Sequence, residues 1–389
     1  MPNFNFTNFC LTDKLLLNEF IFGGEPLSKE KEILQLIKRN PFLSQQDIAE
    51  QVGLSRPAVA NYISKLIEEK EIIGRAYVLN EKNTIVCIGG ANIDRKAMAK
   101  GPVLFESSNP VVTEETLGGV ARNVAHNLNL LNQKIKLFTF VGADREGESM
   151  IEQSEQLGMD MSLTVTIPNM RTGTYTAFIN TDGELIISLA DMDIYDHVTV
   201  QMIESKWHYL ADAKAIFIDT NISNPALQYV IKKCAEAKSL LFVDPVSAVK
   251  AKKLPHDLSG IHTIFPNKEE AEAMSGINIE KESDCKKAAL MIQNRGVKNV
   301  IITLGEQGIF YQTEEDSGTF SPFETEIKDV TGAGDAFTSC FIYGIVTEQP
   351  FKNACQYGLA GAALTLKSPK SVATELRHEK LIQLMRDSI

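Results

Sequence analysis

The chain has 389 residues, more than one domain usually holds, so two domains are expected and an isolated motif is excluded. With 44% hydrophobic and 23% charged residues it has ordinary globular composition and no need to be disordered. Lys and Arg number 39 against 50 Asp and Glu, and the resulting charge of −11 excludes a general attraction to nucleic acid or anionic lipid, so any such contact must be local.

Residues 1–26 carry Phe4, Phe6, Phe9, Phe20 and Phe22 without a clear period and end in the turn-prone Gly23-Gly24-Glu25-Pro26. They read as an N-terminal extension to which the sequence assigns no role. Leu15 to Phe22 is broken by Asn18 and Glu19 and has no basic region before it, so neither a signal peptide nor a membrane span is expected. The six cysteines, Cys10, Cys87, Cys234, Cys285, Cys340 and Cys355, form no C-x-x-C pair; they suggest neither zinc site nor disulfide framework, and a cytoplasmic location is expected.

Residues 27–80 read as three short helices and a hairpin. Ser28 caps a helix with Ile33, Leu34 and Ile37 at helical spacing, ending near Asn40-Pro41. Ser44 opens a second with Ile48, Ala49 and Val52, closed by Gly53; Ser55 caps a third with Val59, Ile63, Leu66 and Ile67. Ile72 to Leu79 follow as a short hairpin. This order resembles a winged helix-turn-helix, which implies DNA as a partner and a recognition helix presenting Arg56, Ala58, Asn61, Tyr62 and Lys65 to phosphates and base edges. Eight Lys or Arg stand against seven Asp or Glu over this segment, a slight positive balance, so a protein-binding or structural module is the other reading.

From Thr84 short apolar runs alternate with helical stretches: Ile85–Ile88, Leu137–Val141, Ala215–Ile218, Leu240–Val243, Thr263–Phe265 and Val300–Thr303. Such continuous apolar runs are strands buried on both faces, which predicts a parallel α/β domain over 84–389. Two interruptions, about 95–117 and 163–190, alternate as in Thr174-Tyr175-Thr176-Ala177-Phe178-Ile179 and are expected to form antiparallel strands outside the main sheet, able to serve as a lid.

Five loops carry candidate chemistry. Asp329-Val330-Thr331-Gly332-Ala333-Gly334-Asp335 is a glycine turn entering an apolar helix, where main-chain N–H groups and the positive helix end can hold a phosphate. A carboxylate at Asp335 would be repelled there unless it accepted the proton of an attacking hydroxyl. Gly118-Gly119-Val120-Ala121-Arg122-Asn123 allows a polyol close to the backbone, with Asn123 as donor and acceptor. Gly89-Gly90-Ala91-Asn92-Ile93-Asp94 ends the first strand, where α/β folds place ligands, and Asn92 and Asp94 suit vicinal hydroxyls. Asn267 and Glu270 lie three apart on one face of a nascent helix and suit hydrated Mg²⁺. Thr303-Leu304-Gly305-Glu306-Gln307-Gly308 ends another strand, against nucleotide phosphates or ribose. Each loop taken singly also reads as an ordinary turn or helix cap.

In this order and spacing the five together resemble the ribokinase (PfkB) family of sugar and nucleoside kinases over residues 84–389. The resemblance implies a three-layer ribokinase-like fold with a mainly parallel central sheet and a small β lid. Within the family, the loops at Gly90 to Asp94, Ser108-Asn109-Pro110, Gly118 to Ala125, Asp191 to Ile194, Val243 to Ala248 and Pro266 to Gly276 look most like those of pseudouridine kinases. The implied reaction is transfer of the ATP γ-phosphoryl group to the 5′-hydroxyl of pseudouridine; another nucleoside or a sugar such as inosine or ribose is the alternative. The implied roles are Asp335 as base and Gly332, Ala333 and Gly334 as anion hole, with Asn92, Asp94, Gly118, Gly119 and Asn123 on the ribose and Thr174 and Asp191 near the base. Thr303, Gly305, Gly308, Thr331, Gly332 and Gly334 would contact nucleotide. Asn267 and Glu270 would organise Mg²⁺ through water, and Asp329 with the 367–371 segment matches the place where relatives bind a monovalent cation such as K⁺. A lid-mediated homodimer is also implied. A transcription regulator sensing a nucleoside with its kinase-like domain is the competing reading, and the complete turn before Asp335 favours the enzyme.

Overall fold

Along the central strands, odd and even residues go to opposite sides. Ile85 and Cys87 of one strand, with Ala215 and Phe217 of its neighbour, pack on the helices Val120–Leu130 and Ala333–Val346. Val86, Ile88, Ile216 and Ile218 pack on the helices Asn224–Ala237 and Glu282–Gln293. Period-2 side-chain alternation in strands buried on both faces therefore yields three layers, helix, sheet and helix. The structure is a computed structural model and describes residues 28–39, 43–73 and 83–387; the N-terminal extension and the greater part of the expected wing, 74–79, lie outside them. The chain divides into two units, Met1–Glu81 and Lys82–Ile389.

In the first unit Ser28 accepts from the Lys31 N–H at the start of the helix Lys29–Arg39, Ser44 forms a capping box with Asp47 before Gln45–Val52, and Ser55 caps Arg56–Glu68. Gly53 takes a left-handed conformation and its N–H returns to the Ala49 carbonyl, which turns the chain between the last two helices. Ile33, Ile37, Ile48, Ala49, Val52, Val59, Ile63 and Leu66 form the core.

The second unit opens with β1 (Thr84–Ile88) and leaves the central sheet for β2 (Asn92–Ala99) and β3 (Val111–Gly118). It returns through Val120–Leu130 to β4 (Lys134–Phe138) and departs again for β5 (Phe140–Gly142), β6 (Val165–Ile167), β7 (Thr174–Ile179) and β8 (Leu185–Asp191). It then completes the sheet with β9 (Ala215–Asp219), β10 (Leu241–Asp244), β11 (Ile261–Ile264), β12 (Asn299–Thr303), β13 (Ile309–Gln312) and β14 (Ser317–Phe320). The order is β14-β13-β12-β11-β10-β9-β1-β4, parallel from β12 to β4, with β13 and β14 added antiparallel at one edge.

Two expectations are corrected. The run Leu137–Val141 is two strands in different sheets: the chain leaves the central sheet at Thr139, whose hydroxyl donates to the Gly89 carbonyl at 2.7 Å, and β5 pairs with β6 instead. The second sheet, β3-β2-β7-β8, is mixed rather than antiparallel throughout, because β2 and β7 run parallel side by side. Alternation along a strand assigns faces and leaves the direction of its neighbour open.

Candidate functional site

A parallel sheet delivers the loops after each strand to one edge, and five polar groups accumulate there: Asn92 beyond β1, Asp219 ending β9, Asp244 ending β10, Asn267 beyond β11 and Thr303 ending β12. Asp219 organises the floor. Fully buried, it accepts from the N–H groups of Gly90 at 2.8 Å, Ala121 at 3.0 Å and Asn221 at 2.9 Å, tying the first-strand turn to the start of the helix Val120–Leu130. At Gly119 a Cβ would collide with the Gly90 carbonyl, so the two loops approach as closely as their backbones allow.

Asn123, buried in the first turn of that helix, donates from Nδ2 to Asp335 Oδ2 at 2.8 Å. Asp335 is the third residue of the helix Ala333–Val346; Gly332 before it has φ 80°, and a Cβ there would run into the Ser371 carbonyl. The Ala333 N–H returns to Val330 and that of Ala336 to Gly332, while the N–H groups of Gly334 and Asp335 have no carbonyl in the turn, as at any helix start. They form an anion-binding end beside the carboxylate. Burial pushes Asp335 up to about 7; the Asn123 hydrogen bond opposes this, and the Asp219 and Asp94 charges add to it.

Asn92 donates to Asp94 at 2.5 Å. Asp94 is raised by burial, against the pull of Asn92, Arg122 and Lys96. Arg122, buried beside them, is lowered to about 10 by desolvation; its Nη1 donates to the Leu117 carbonyl at 3.2 Å and to Asn123 at 3.4 Å, and its Nε has no partner among the described residues. The lid joins at this point. Leu117, Ile93, Thr174 and Asp191 form one rung across β3, β2, β7 and β8, so Thr174 lies in register with Ile93, between Asn92 and Asp94 along β2, and Asp191 lies beyond it, exposed on the edge strand.

Asn267 and Glu270 meet as a capping box: Asn267 N–H and Nδ2 donate to Glu270 at 2.9 and 2.8 Å, and Glu270 N–H donates to Asn267 Oδ1 at 2.9 Å. The Thr303 N–H donates to the Pro266 carbonyl at 3.0 Å and Thr303 bridges to Asn267, so the nucleotide-loop candidates adjoin this pair. Leu304 N–H and the Gly308 carbonyl close the 303–308 loop at 2.8 Å. Burial pushes Glu270 up to about 7, and Asp244 stands well above the carboxylate range through burial and the charges of Glu270, Asp335 and Asp219, so Asp244 electrically links the two groups. Asp329 receives the exposed Thr331's N–H at 2.8 Å and the lid residue Lys96 at 3.3 Å. Burial opposes ionisation there, but Thr331 and Lys96 hold it below the usual range.

Asp219 and Arg122 were given no role by sequence reasoning. The signal for Asp219 was a lone carboxylate ending an otherwise apolar run, at the strand end where α/β sites form.

In the first unit Arg56 and Asn61 are exposed on Arg56–Glu68, and Tyr62 is half-buried against the core. Lys65 is already paired, with Glu30 at 2.9 Å and Glu69 at 3.7 Å.

Compared with known proteins, residues 82–376 match the pfkB family of carbohydrate kinases and residues 28–70 match the winged helix-turn-helix DNA-binding family. The chain is 32% identical over 315 residues to the pseudouridine kinase of Escherichia coli (strain K12), covering 80% of this chain and 99% of that one. It is 31% identical over 344 residues to the uncharacterized sugar kinase YeiI of the same organism, 88% and 94% of the two. A carbohydrate kinase structure from Agrobacterium tumefaciens superimposes with a TM-score of 0.69 at 27% identity, covering 78% of this chain and 97% of its own.

Proposed function

The chain belongs to the pfkB family of carbohydrate kinases, and from that premise we propose that it transfers the γ-phosphoryl group of ATP to the 5′-hydroxyl of pseudouridine. The observation that carries the chemistry is the Asp335 carboxylate, held by Asn123 at 2.8 Å beside the first free N–H groups of a helix and pushed up to about 7. A base in that range takes the hydroxyl proton as the oxygen attacks, while the turn Gly332-Ala333-Gly334 presents the amides of Gly334 and Asp335 to the charge on the transferring group, the Ala333 amide being turned to the Val330 carbonyl instead. Asn92, Asp94, Gly118, Gly119 and Asn123 grip the pentose, and Thr174 and Asp191 close over it from the lid. Thr303, Gly305, Gly308 and Thr331 serve the nucleotide. The choice of pseudouridine is supported by the Escherichia coli pseudouridine kinase, whose length the match spans almost completely.

The residues present fit Mg²⁺ held through water. Among the described residues no three His, Cys, Asp or Glu form a ready metal cage, and Asn267 and Glu270 are hydrogen-bonded to each other. Glu270 nevertheless keeps oxygen lone pairs for water, and its raised pKa reflects buried negative charge that a divalent cation relieves. Bound there, the ion would neutralise charge on the phosphates. At Asp329, a K⁺ ion would compete with Lys96. A homodimer through the lid is supported by β8, an edge strand exposing Leu185, Ile187 and Leu189.

The test is ADP release by the purified chain with ATP and Mg²⁺ on pseudouridine, uridine, inosine and ribose. Pseudouridine is expected to give the highest kcat/KM. Preference for another of the four discards pseudouridine, and silence on all four shifts the reading to a nucleoside-sensing regulator.

A second activity, duplex DNA binding through residues 28–70, is supported by the exposed Arg56 and Asn61. Affinity is expected to fall steeply with salt, and Arg56→Ala to reduce the salt slope by about 1. Lys65→Ala is expected to change it less, since Glu30 and Glu69 already neutralise that ammonium. Absent or salt-insensitive binding retires this activity.

A further inference from the structure

The first turn of the helix Val120–Leu130 buries a cation. Arg122 is 4% exposed, and among the described residues no carboxylate lies within ion-pairing distance of it. Taking an ion out of water is costly, so a buried one is kept for what it contacts. The Arg122 N–H goes to the Gly90 carbonyl at 3.2 Å, in the loop after β1. Its Nη1 donates to the Leu117 carbonyl at 3.2 Å, near the end of the lid strand β3, and to Asn123 Oδ1 at 3.4 Å. The residue therefore stands where the first-strand loop, the lid and the helix of Asn123 meet.

The side chain of Asn123 has two unlike ends, an oxygen that accepts and a nitrogen that donates. Nδ2 donates to Asp335 Oδ2 at 2.8 Å while Oδ1 faces Arg122. Asp335 alone does not settle this orientation. A carboxylate needs a donor, a protonated carboxyl can instead donate to an amide oxygen, and a group pushed up to about 7 supplies both forms near neutrality. Arg122 breaks the tie. Its guanidinium carries N–H donors and no acceptor, so turning the amide over would set Nδ2 against Nη1, donor against donor. Among the described residues the Asn123 side chain bonds to these two partners and to no other.

The other charges around Asp335 oppose its ionisation. Asp94 of β2, Asp219 ending β9 and Asp244 ending β10 are all carboxylates, and Asn123 is the side chain that donates to Asp335 among the described residues. Arg122 itself faces Asp94, whose carboxylate lies over Gly118 where a Cβ would meet it, and His126 one turn further along the helix. Burial and the Arg122 charge push His126 down to about 4, so it is neutral at neutral pH. A base set in such an acidic cluster depends on its one side-chain donor.

We propose that Arg122 is a positioning residue for phosphoryl transfer: its guanidinium, offering donors alone, holds the Asn123 oxygen toward itself and the Asn123 nitrogen toward Asp335, so that the base meets a donor and is held as a carboxylate. This rests on the kinase reading above. The test compares the wild-type chain with Arg122→Gln, whose own oxygen can accept from a reversed amide, and with Arg122→Lys, which still offers donors alone. The titration of Asp335 is followed by carbon NMR of ligand-free protein whose aspartates are isotopically labelled at the side-chain carboxyl, the signal being identified by its loss in Asp335→Asn. Arg122→Gln is expected to raise the Asp335 midpoint by about one pH unit, and Arg122→Lys by clearly less. With ATP, Mg²⁺ and the preferred acceptor, turnover of Arg122→Gln is expected to fall about 10-fold below neutrality and to return toward the wild-type rate above about pH 9, where Asp335 is ionised in both. An unchanged Asp335 midpoint in Arg122→Gln, or a loss of turnover equal at every pH, overturns the assignment. Where the glutamine variant does not fold, neutron diffraction of wild-type crystals decides: Nδ2 deuterons of Asn123 facing Asp335 are the expected result, and the amide oxygen facing Asp335 overturns the assignment. A wild-type chain that phosphorylates no acceptor ends the kinase reading alone, since the NMR titration of ligand-free protein still judges what Arg122 does to Asp335.

Discussion

Asp335→Asn is expected to lower turnover about 10²–10⁴-fold, the range for losing a positioned general base, while substrate affinity stays near that of the wild type. The amide keeps the shape and can still contact Asn123, but it cannot take a proton. Near-normal turnover removes Asp335 from its role. The carboxylate also sets two pH dependences that run in opposite directions. With its pKa pushed up to about 7, it is an active base only as pH rises through that value, so kcat/KM climbs across neutrality. Stability behaves inversely. A carboxyl whose folded pKa lies above its unfolded one stabilises the fold while protonated and loses that contribution as pH rises through the folded value. Glu270, also raised to about 7, acts in the same sense, and so does Asp244. The thermal midpoint of the ligand-free chain should therefore fall as pH rises from the ordinary carboxylate range, about 4, to about 7, level off above that, and fall less in Asp335→Asn. A variant that is more stable at high pH yet nearly inactive is the signature of a residue kept charged for chemistry.

Gly332→Ala carries the second large effect. At φ 80° an L side chain is strained, costing about 1–2 kcal/mol, and here the added Cβ would overlap the Ser371 carbonyl, which has no soft side chain to yield. The turn must shift, and with it the N–H groups of Gly334 and Asp335, which on the proposed function would face the transferring phosphate. Misplacing such donors is expected to reduce turnover about 10²–10³-fold. Circular dichroism and the ATP-independent affinity for substrate should change little, because the helix Ala333–Val346 is anchored below the turn by buried Phe337, Cys340 and Phe341. Full activity in Gly332→Ala would show that the turn's geometry is immaterial to catalysis.

Much of the architecture could be read in the chain because strands buried on both faces leave continuous apolar runs, and Ser44, Gly53 and Ser55 mark helix ends by their own hydrogen bonds. The alternation of β7 likewise located the lid. What stayed hidden depends on partners distant in sequence. Thr139 sits within an apolar run, and what sets it apart is its bonds to Gly89 and to the Val165 N–H. The parallel pairing of β2 with β7 leaves no mark in either strand. Asn92, Asp94, Asn123 and Asp335 were legible through glycine-rich loops that announce close backbone approach. Asp219 has no such flag: it is a single carboxylate ending a strand, and it gains meaning from groups brought up by other loops. The pairing of Lys65 with Glu30, 35 residues away, is of the same kind.

The most direct measurement is the position of the phosphate in the product. Phosphorus NMR of a reaction containing the chain, ATP, Mg²⁺ and pseudouridine is expected to show a phosphomonoester coupled to the 5′-methylene protons, formed in step with ADP. Release of ADP with inorganic phosphate alone, or a phosphate coupled to a ring proton of the sugar, would contradict the assignment of Asp335 as the base that activates the 5′-hydroxyl.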